Sequence, residues 1–529
     1  MHEEKNMHRL LFILLLSGFV LTIAPRYSTA QSNEKTIALS LEDCIVKTLK
    51  QNVNVAIEVL NPKISSLAVS QAKEKYLPQF SLSMNKRNTE SASYSWLDAS
   101  DQVNTEYQFY TAQYTQAIPT GAFFSVSLEN DKNVTNRRFQ TINPRFGSTL
   151  TFDFSQPLLR NFGFKNANRE IIIAKTNRDI SENRFKSILL QTIYEVEASY
   201  WNLVFSIENL KARQQSLDLA RDLLERNKRS VEIGRMAPID LQSAVAEVAT
   251  READILEAEA MVKNREDLLK NTINLSAEMR DDNVRIILVD KPAIEEKSIT
   301  LDKALELARQ HRPDLQEIKL NINNDNLDVS YAKNQLLPEL NLQASYWSPG
   351  ISGTQILYEG GNATTGAVIG TVPGGSSQAL NDALDFRYQN WSVGLSLDIP
   401  VNTLFARNQL EQARVNLDQS KLRLQDLEQQ ILLEIKTANR TVETNLKRVK
   451  AYRIARELTE KKLETEEEKL RLGNSTNYDV FLFQRDLSDA QANELSAIIE
   501  YNLSLAYRDR VLGISLEQKH IKISDMLRN

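Results

Sequence analysis

Residues 165 to 232 contain neither glycine nor proline. A stretch that long without a breaker reads as one helix of about 100 Å at 1.5 Å per residue. Leu189, Val196, Leu203, Leu210, Leu217, Leu224 and Val231 fall at every seventh position along it. A strict seven-residue repeat specifies coiled-coil packing with a left-handed supercoil. The partner seam begins with Tyr200 and Ile207 and then turns to Gln214, Arg221 and Lys228, so the apolar stripe narrows toward the end of the helix. A second segment repeats the pattern with Ile435, Val442, Val449, Leu463 and Leu470, interrupted by Arg456. After a turn containing Gly234 or Gly473, each long helix is followed by a shorter one, near 238–275 and 477–512. Such antiparallel hairpins are too long for one compact domain. On the helices alone, a plain coiled-coil arm is the competing reading.

The chain is two copies of one unit. Ser40-Leu41-Glu42-Asp43-Cys44-Ile45 matches Thr300-Leu301-Asp302-Lys303-Ala304-Leu305 at an offset of 260, and Leu77-Pro78-Gln79-Phe80 matches Leu337-Pro338-Glu339-Leu340 at the same offset. Further on, Gly234 falls on Gly473 and Ile239-Asp240-Leu241 on Tyr478-Asp479-Val480, at an offset of 239. Pro157 and Pro400 mark one point in both halves, and most of the register change lies before it: 79 residues from Pro78, against 62 from Pro338. Repetition of this order means one supersecondary unit used twice.

The N-terminus reads as a processing segment. Lys5, His8 and Arg9 precede an apolar run from Leu10 to Leu16 that continues to Ile23, and Ser28-Thr29-Ala30 supplies the small residues of a cleavage site. This is the pattern of a secretory signal cut after Ala30, with an N-terminal anchor as the alternative. The mature chain has a net charge of −6, close to the −5 of the whole. That balance, with 42% hydrophobic and 25% charged residues, argues against a disordered chain and against a nucleic-acid binder resting on a basic surface. No later stretch is apolar enough for a transmembrane helix, which leaves a periplasmic, secreted or β-stranded outer-membrane protein. The single cysteine, Cys44, cannot form an internal disulfide; it aligns with Ala304 and reads as a small packing residue. Only His311 and His520 remain after processing. There is no paired nucleophile and base, no phosphate loop and no Cys/His cluster, so the sequence points to no enzyme, cofactor or metal site.

The strands separate an arm from a channel. Trp391 to Ile399 alternates apolar with small or polar residues over nine positions, and Leu150–Phe154, Phe80–Met84 and Leu340–Leu342 do the same over fewer. That alternation fits strands with one face on lipid and one on a polar lumen; a soluble sheet over a core is locally similar. Asn88 to Glu106 and the Gly-rich Ser348 to Ser377 read as surface loops. Two strands per half give four per chain, short of the eight or so a closed barrel needs, so several chains must contribute. A trimer would have twelve strands. Tyr107–Ile118 and Phe123–Leu128, joined by Pro119-Thr120-Gly121, resemble a further hairpin in the first half only. Inside the wall it would raise the trimer to eighteen strands; outside, it would be a decoration.

The duplicated unit, the Leu-Pro step into a strand, Gln156-Pro157-Leu158-Leu159-Arg160-Asn161-Phe162-Gly163 leading back to a helix, and Leu470-Arg471-Leu472-Gly473 with Tyr478-Asp479-Val480 together resemble the TolC family of outer-membrane efflux proteins, over about residues 36–515. The resemblance implies a mainly α protein with membrane β: a homotrimeric outer-membrane β-barrel continued by a periplasmic α-helical coiled-coil tunnel. It implies a passive exit duct of a tripartite efflux or type I secretion system. The partners it implies are a periplasmic adaptor and an inner-membrane pump of RND, ABC or MFS type, with outer-membrane lipid around the barrel. The expected organisation is a signal peptide at 1–30 and a first repeat at 31–297 (helices 38–76, strands 80–157, hairpin 165–275, linker 276–297). A second repeat follows at 298–515 (helices 300–336, strands 340–400, hairpin 402–512), then a tail at 516–529. On the family pattern Gly234 and Gly473 are adaptor-docking tips, and Asp479 and Asp240 lie near the closed entrance. The competing roles are helix termination for the glycines and dipole complementation for the aspartates. Leu482 and Ser475 replace residues common at such an entrance, which leaves Arg235, Arg471 and Tyr478 as candidate gate contacts. The alternative function is an exported structural or adhesive coiled-coil protein without a channel.

Overall fold

The computed structural model describes residues 35–98, 100–234, 237–276, 284–363, 365–521, 523 and 526; the expected signal peptide and Arg235 lie outside them. The first half runs through β1 (Lys35–Leu39), α1 (Leu41–Gln51), α2 (Val53–Glu58) and α3 (Leu60–Lys73) into four strands. These are β2 (Gln79–Ala92), β3 (Gln102–Ala117), β4 (Phe123–Thr135) and β5 (Ile142–Pro157). The hairpin α4 (Arg169–Glu232) and α5 (Pro238–Ile273) follows, then β6 (Val284–Leu288). The second half has α6 (Leu301–His311), α7 (Pro313–Asn334), β7 (Glu339–Tyr358), β8 (Val368–Val372), α8 (Ser376–Leu384) and β9 (Asn390–Asp398). It ends in the hairpin α9 (Leu404–Arg471) and α10 (Asn477–Leu512).

Several elements of the two halves correspond residue for residue. The bounds of α1 and α6, and the starts of β2 and β7, differ by 260, while α5 and α10 are each 36 residues long and 239 apart. One break is made by two chemistries. Between α1 and α2, Asn52 leaves helical geometry (φ −66°, ψ 125°), and its side chain accepts from the N–H groups of Asn54 and Val55. At the equivalent point Arg312 adopts φ −69°, ψ 118° because Pro313 begins the next helix, a position that suits proline and pushes the residue before it out of the α region. Pro62 sits in the first turn of α3, where its missing N–H costs little.

The helical core lies partway along the hairpins. Cys44, Leu189, Val196, Tyr200 and Leu269 are buried together there. Tyr200 donates to the Asp290 carboxylate at 3.0 Å, and the same oxygen accepts from the Leu41 N–H at 2.6 Å. Residues 276–297, expected as a linker, contain β6, which pairs in parallel with β1. The expected tail also contributes to this core, through Leu516, Ile521 and Met526. Four helices lie side by side, α3 on α4, α4 on α7 and α7 on α9.

Each of those four helices runs into one strand of a single sheet ordered β2-β3-β4-β5-β7, with β9 along the near end of β7 and β8 along its far end. The β3–β4 hairpin is therefore inside the sheet. Its turn lies at the helical end: Gly163 N–H donates to the Thr120 carbonyl at 3.0 Å and the Asn168 side chain to that of Pro119 at 3.2 Å. Both expected loops are shorter than the polarity of the sequence suggests. β2 and β3 remain paired out to Ala92 and Gln102, and β7 continues to Tyr358. Backbone pairing carries these strands past the point where side-chain alternation fades.

Candidate functional site

Consecutive cross-strand rows of the sheet have opposite chemistry. Phe80, Tyr114, Val126, Phe152, Tyr346 and Trp391 are paired in register across six strands. The adjacent row is Gln79, Thr115, Ser125, Asp153, Ser345 and Ser392. Because side chains alternate along each strand, one row faces each side. The apolar side continues through Leu82, Leu128, Leu150, Leu342 and Leu395. It is uncovered at both margins, Leu82 being 74% and Trp391 73% exposed. The outer edges of β2 and β9 have no strand beside them among the described residues. Toward the far end, α8 lies on the apolar side, with Ala379 and Ala383 buried and Phe386 stacked 6.3 Å from Phe152.

At the other end of the molecule the hairpins turn. Gly473 has φ +78°; its N–H donates to the Leu470 carbonyl at 3.0 Å, and the Asn474 N–H donates to that of Lys469 at 2.8 Å. This pair of bonds is a Schellman cap, which needs the left-handed residue that glycine supplies. Gly234 has φ +70° and bonds back to Val231 at 3.0 Å. Among the described residues, nothing lies within 4 Å of where a Cβ would sit on either glycine. Asp479 is the third residue of α10 and closes a capping box: its N–H donates to the Thr476 hydroxyl at 3.2 Å, and its Oδ2 accepts from the Thr476 N–H at 3.4 Å and from that hydroxyl at 2.6 Å. Asp240 holds the matching place in α5, which begins at Pro238. Arg471 pairs with Glu468 one turn back at 2.5 Å on the surface. Tyr478 is 72% exposed and lines a cleft between the two hairpins with Ser243, Glu247, Leu470 and Arg485.

The group that sequence reading missed is Arg251. It occupies the seam of α5, in the spacing Ala244, Val248, Arg251, Ile255, Ala258, and its side chain is 6% exposed. Its Nε donates to Glu247 at 3.0 Å, and one terminal nitrogen donates to the Ser216 carbonyl at 2.7 Å and hydroxyl at 2.9 Å on α4. The guanidinium lies 5.9 Å from the ring centroid of Phe481 on α10. Arg251 thus binds its own hairpin and reaches the other one, beside a buried cluster of Leu217, Leu223, Val248, Leu463 and Phe481. A charge in an otherwise apolar seam is the signal that could have found it.

A duplicated strand and long-hairpin unit, with a two-faced sheet at one end and paired helical tips at the other, defines a stranded wall on a helical stalk. The sequence matches the family model described as Outer membrane efflux protein over residues 124–275 and 304–506, and the chain belongs to that family. It is 23% identical over 337 residues to Outer membrane protein TolC of Escherichia coli (strain K12), a match covering 63% of this chain and 64% of the length of that protein. The fold is shared with a membrane protein from Pseudomonas aeruginosa (TM-score 0.63, 13% identity, 89% of this chain and 93% of that one). It is shared also with the CmeC outer membrane channel of Campylobacter jejuni (TM-score 0.60, 15% identity, 92% and 90%). Membership of that family places the chain in the outer membrane.

Proposed function

We propose that this protein is the exit duct of a tripartite efflux or type I secretion system. It is a homotrimer whose sheets close into one barrel in the outer membrane and whose hairpins continue that barrel as a tunnel across the periplasm. The observation carrying this reading is the adjacent apolar and polar rows over six strands, ending in two unpaired edges. Each unpaired backbone group in hydrocarbon costs several kcal/mol, so the outer edge of β9 must meet that of β2 on a neighbouring copy. Residues 1–30 direct export and are removed. An inner-membrane pump of RND, ABC or MFS type drives transport, and a periplasmic adaptor docks at the tips around Gly234 and Gly473.

The periplasmic entrance opens when the two hairpins of each copy separate. Three copies of Asp479 form a ring that favours cations. The cap engages Oδ2, so cap and ring charge coexist on one carboxylate. Asp240, Arg471 and Tyr478 take supporting places at the same mouth. The test is planar-bilayer conductance of the detergent-purified oligomer, with and without divalent cations on the periplasmic side. Small cation-selective openings blocked by divalents are expected, and a water-soluble oligomer that never inserts would hand the case to a structural coiled coil. Asp479→Asn should lower cation selectivity; unchanged selectivity and conductance would remove the ring.

A further inference from the structure

The added hairpin of the first half sets the bore of the exit. Resting on the duct reading above, we infer that β3 and β4 are wall strands of an eighteen-stranded barrel, whose lumen is about as wide as the helical tunnel that feeds it.

The geometry comes from the ends of the strands. At the helical end β3 and β4 are flush, Ala117 facing Phe123, and so are β7 and β9, Glu339 facing Asp398. At the other three interfaces one strand overruns its neighbour by two residues: Gln79 faces Thr115, Phe123 faces Ser155 and Pro157 faces Asn341. The offsets accumulate in one direction to six residues over the six strands. With a rise of about 3.3 Å and a strand spacing of about 4.8 Å, that stagger inclines the strands by about 35–40°, inside the range closed barrels require. Six strands at that tilt are about 36 Å wide.

The helical side gives an independent width. Four helices lie side by side in each copy, α3, α4, α7 and α9, and helices pack about 8–10 Å apart, so one copy contributes about 32–40 Å of tunnel wall. Six strands match that width. Four strands at the same tilt give about 24 Å and leave a step of about 10 Å per copy. Three copies then close at a backbone diameter of about 34 Å, against about 23 Å without the hairpin. Side chains about 5 Å deep on each side leave a free bore of about 24 Å, twice the diameter of an α-helix. On the lumen face the hairpin carries Thr111, Gln113, Thr115, Ser125 and Ser127, with Tyr107, Phe109, Phe123, Glu129 and Asp131 on the same side, while Ala112, Val126 and Leu128 face the other way. The barrel therefore does not sort cargo by size. That selection falls to the tunnel mouth, and an unfolded or helical polypeptide fits the exit as readily as a small molecule.

The test places single cysteines in a Cys44→Ala chain, reconstituted as the full protein in lipid vesicles. Ser127→Cys and Gln113→Cys face the lumen; Ala112→Cys and Leu128→Cys face lipid. Ser345→Cys and Leu342→Cys on β7 are the control pair. A membrane-impermeant maleimide reacts with the thiolate, which forms in water and not in hydrocarbon. Labelling at 113 and 127 should exceed that at 112 and 128 by at least about ten-fold, as at 345 over 342. Equal labelling of all four hairpin sites, with alternation kept at 345 and 342, would put the hairpin outside the wall and overturn the eighteen-stranded barrel alone. Loss of alternation at the control pair as well would overturn the duct reading itself.

Discussion

Arg251→Met separates what holds a hairpin together from what holds two hairpins shut. Methionine keeps the stem of the side chain and removes the guanidinium. Two sets of contacts are lost. The bonds to Glu247 and to the Ser216 carbonyl and hydroxyl lie within one hairpin, so they stabilise it whether the entrance is open or closed. The approach to Phe481 at 5.9 Å crosses to the other hairpin and exists only when the two are packed. A partly desolvated cation–π contact contributes about 1 kcal/mol. If three copies open together, the closed entrance loses about 3 kcal/mol, and the open-to-closed ratio rises roughly a hundred-fold. The assay is open probability of the purified trimer in planar bilayers without partner proteins, supported by passive entry of a large hydrophilic antibiotic into cells. Phe481→Leu should reproduce most of the gating effect, and the double variant should add little to either, since both remove one contact. A lower unfolding temperature with unchanged open probability would refute the reasoning and leave Arg251 as a staple within its own hairpin.

Two other sites give direct tests. Gly513 has φ +78°, and a Cβ there would lie 2.9–3.1 Å from backbone atoms of His311 and Arg312, so Gly513→Ala should cost about 2–5 kcal/mol from backbone strain and overpacking. Gly473→Ala, at a similar φ with open space around it, should cost only about 1–2 kcal/mol; thermal unfolding followed by circular dichroism ranks the two, and equal losses would deny the close approach at Gly513. Burial pushes the Cys44 thiol up to about 12. At pH 8 it should react with a small maleimide about a thousand-fold more slowly than a free thiol of pKa about 8.5, until denaturant is added. Because the folded thiol holds its proton more tightly than the unfolded one, this group takes stability away as pH rises above about 8.5, which urea titrations at pH 8 and pH 10 would register as a lower midpoint at the higher pH.

What the sequence discloses is local, and what it withholds depends on distant partners. Breaks and caps are legible because proline, asparagine and glycine act on their own backbone: Asn52 against the Arg312-Pro313 step, and Asn274 (φ 56°) against Gly513, end helices at matched places with different residues. The β1–β6 pair is not legible, since two five-residue strands 249 positions apart carry no hairpin signal. Arg251 is one of 64 basic residues and stands out only once the other hairpin covers it. Alternation in the added hairpin shows that one face is apolar but says nothing about which strands flank it. Its place in the wall does have a physical logic. A single extra strand would reverse the chain and send Arg169–Glu232 out of the far side of the membrane, so a wall of this kind grows only by pairs. A pair that turns flush at the helical end, as Ala117 and Phe123 do, returns the chain to the side from which the long helix must start, and its two outer interfaces carry the same two-residue offset as the rest of the wall. The half that carries the insertion therefore keeps the same helix, turn and helix as the half that lacks it, and the 239-residue correspondence of their tips survives a change in the bore of the barrel above them.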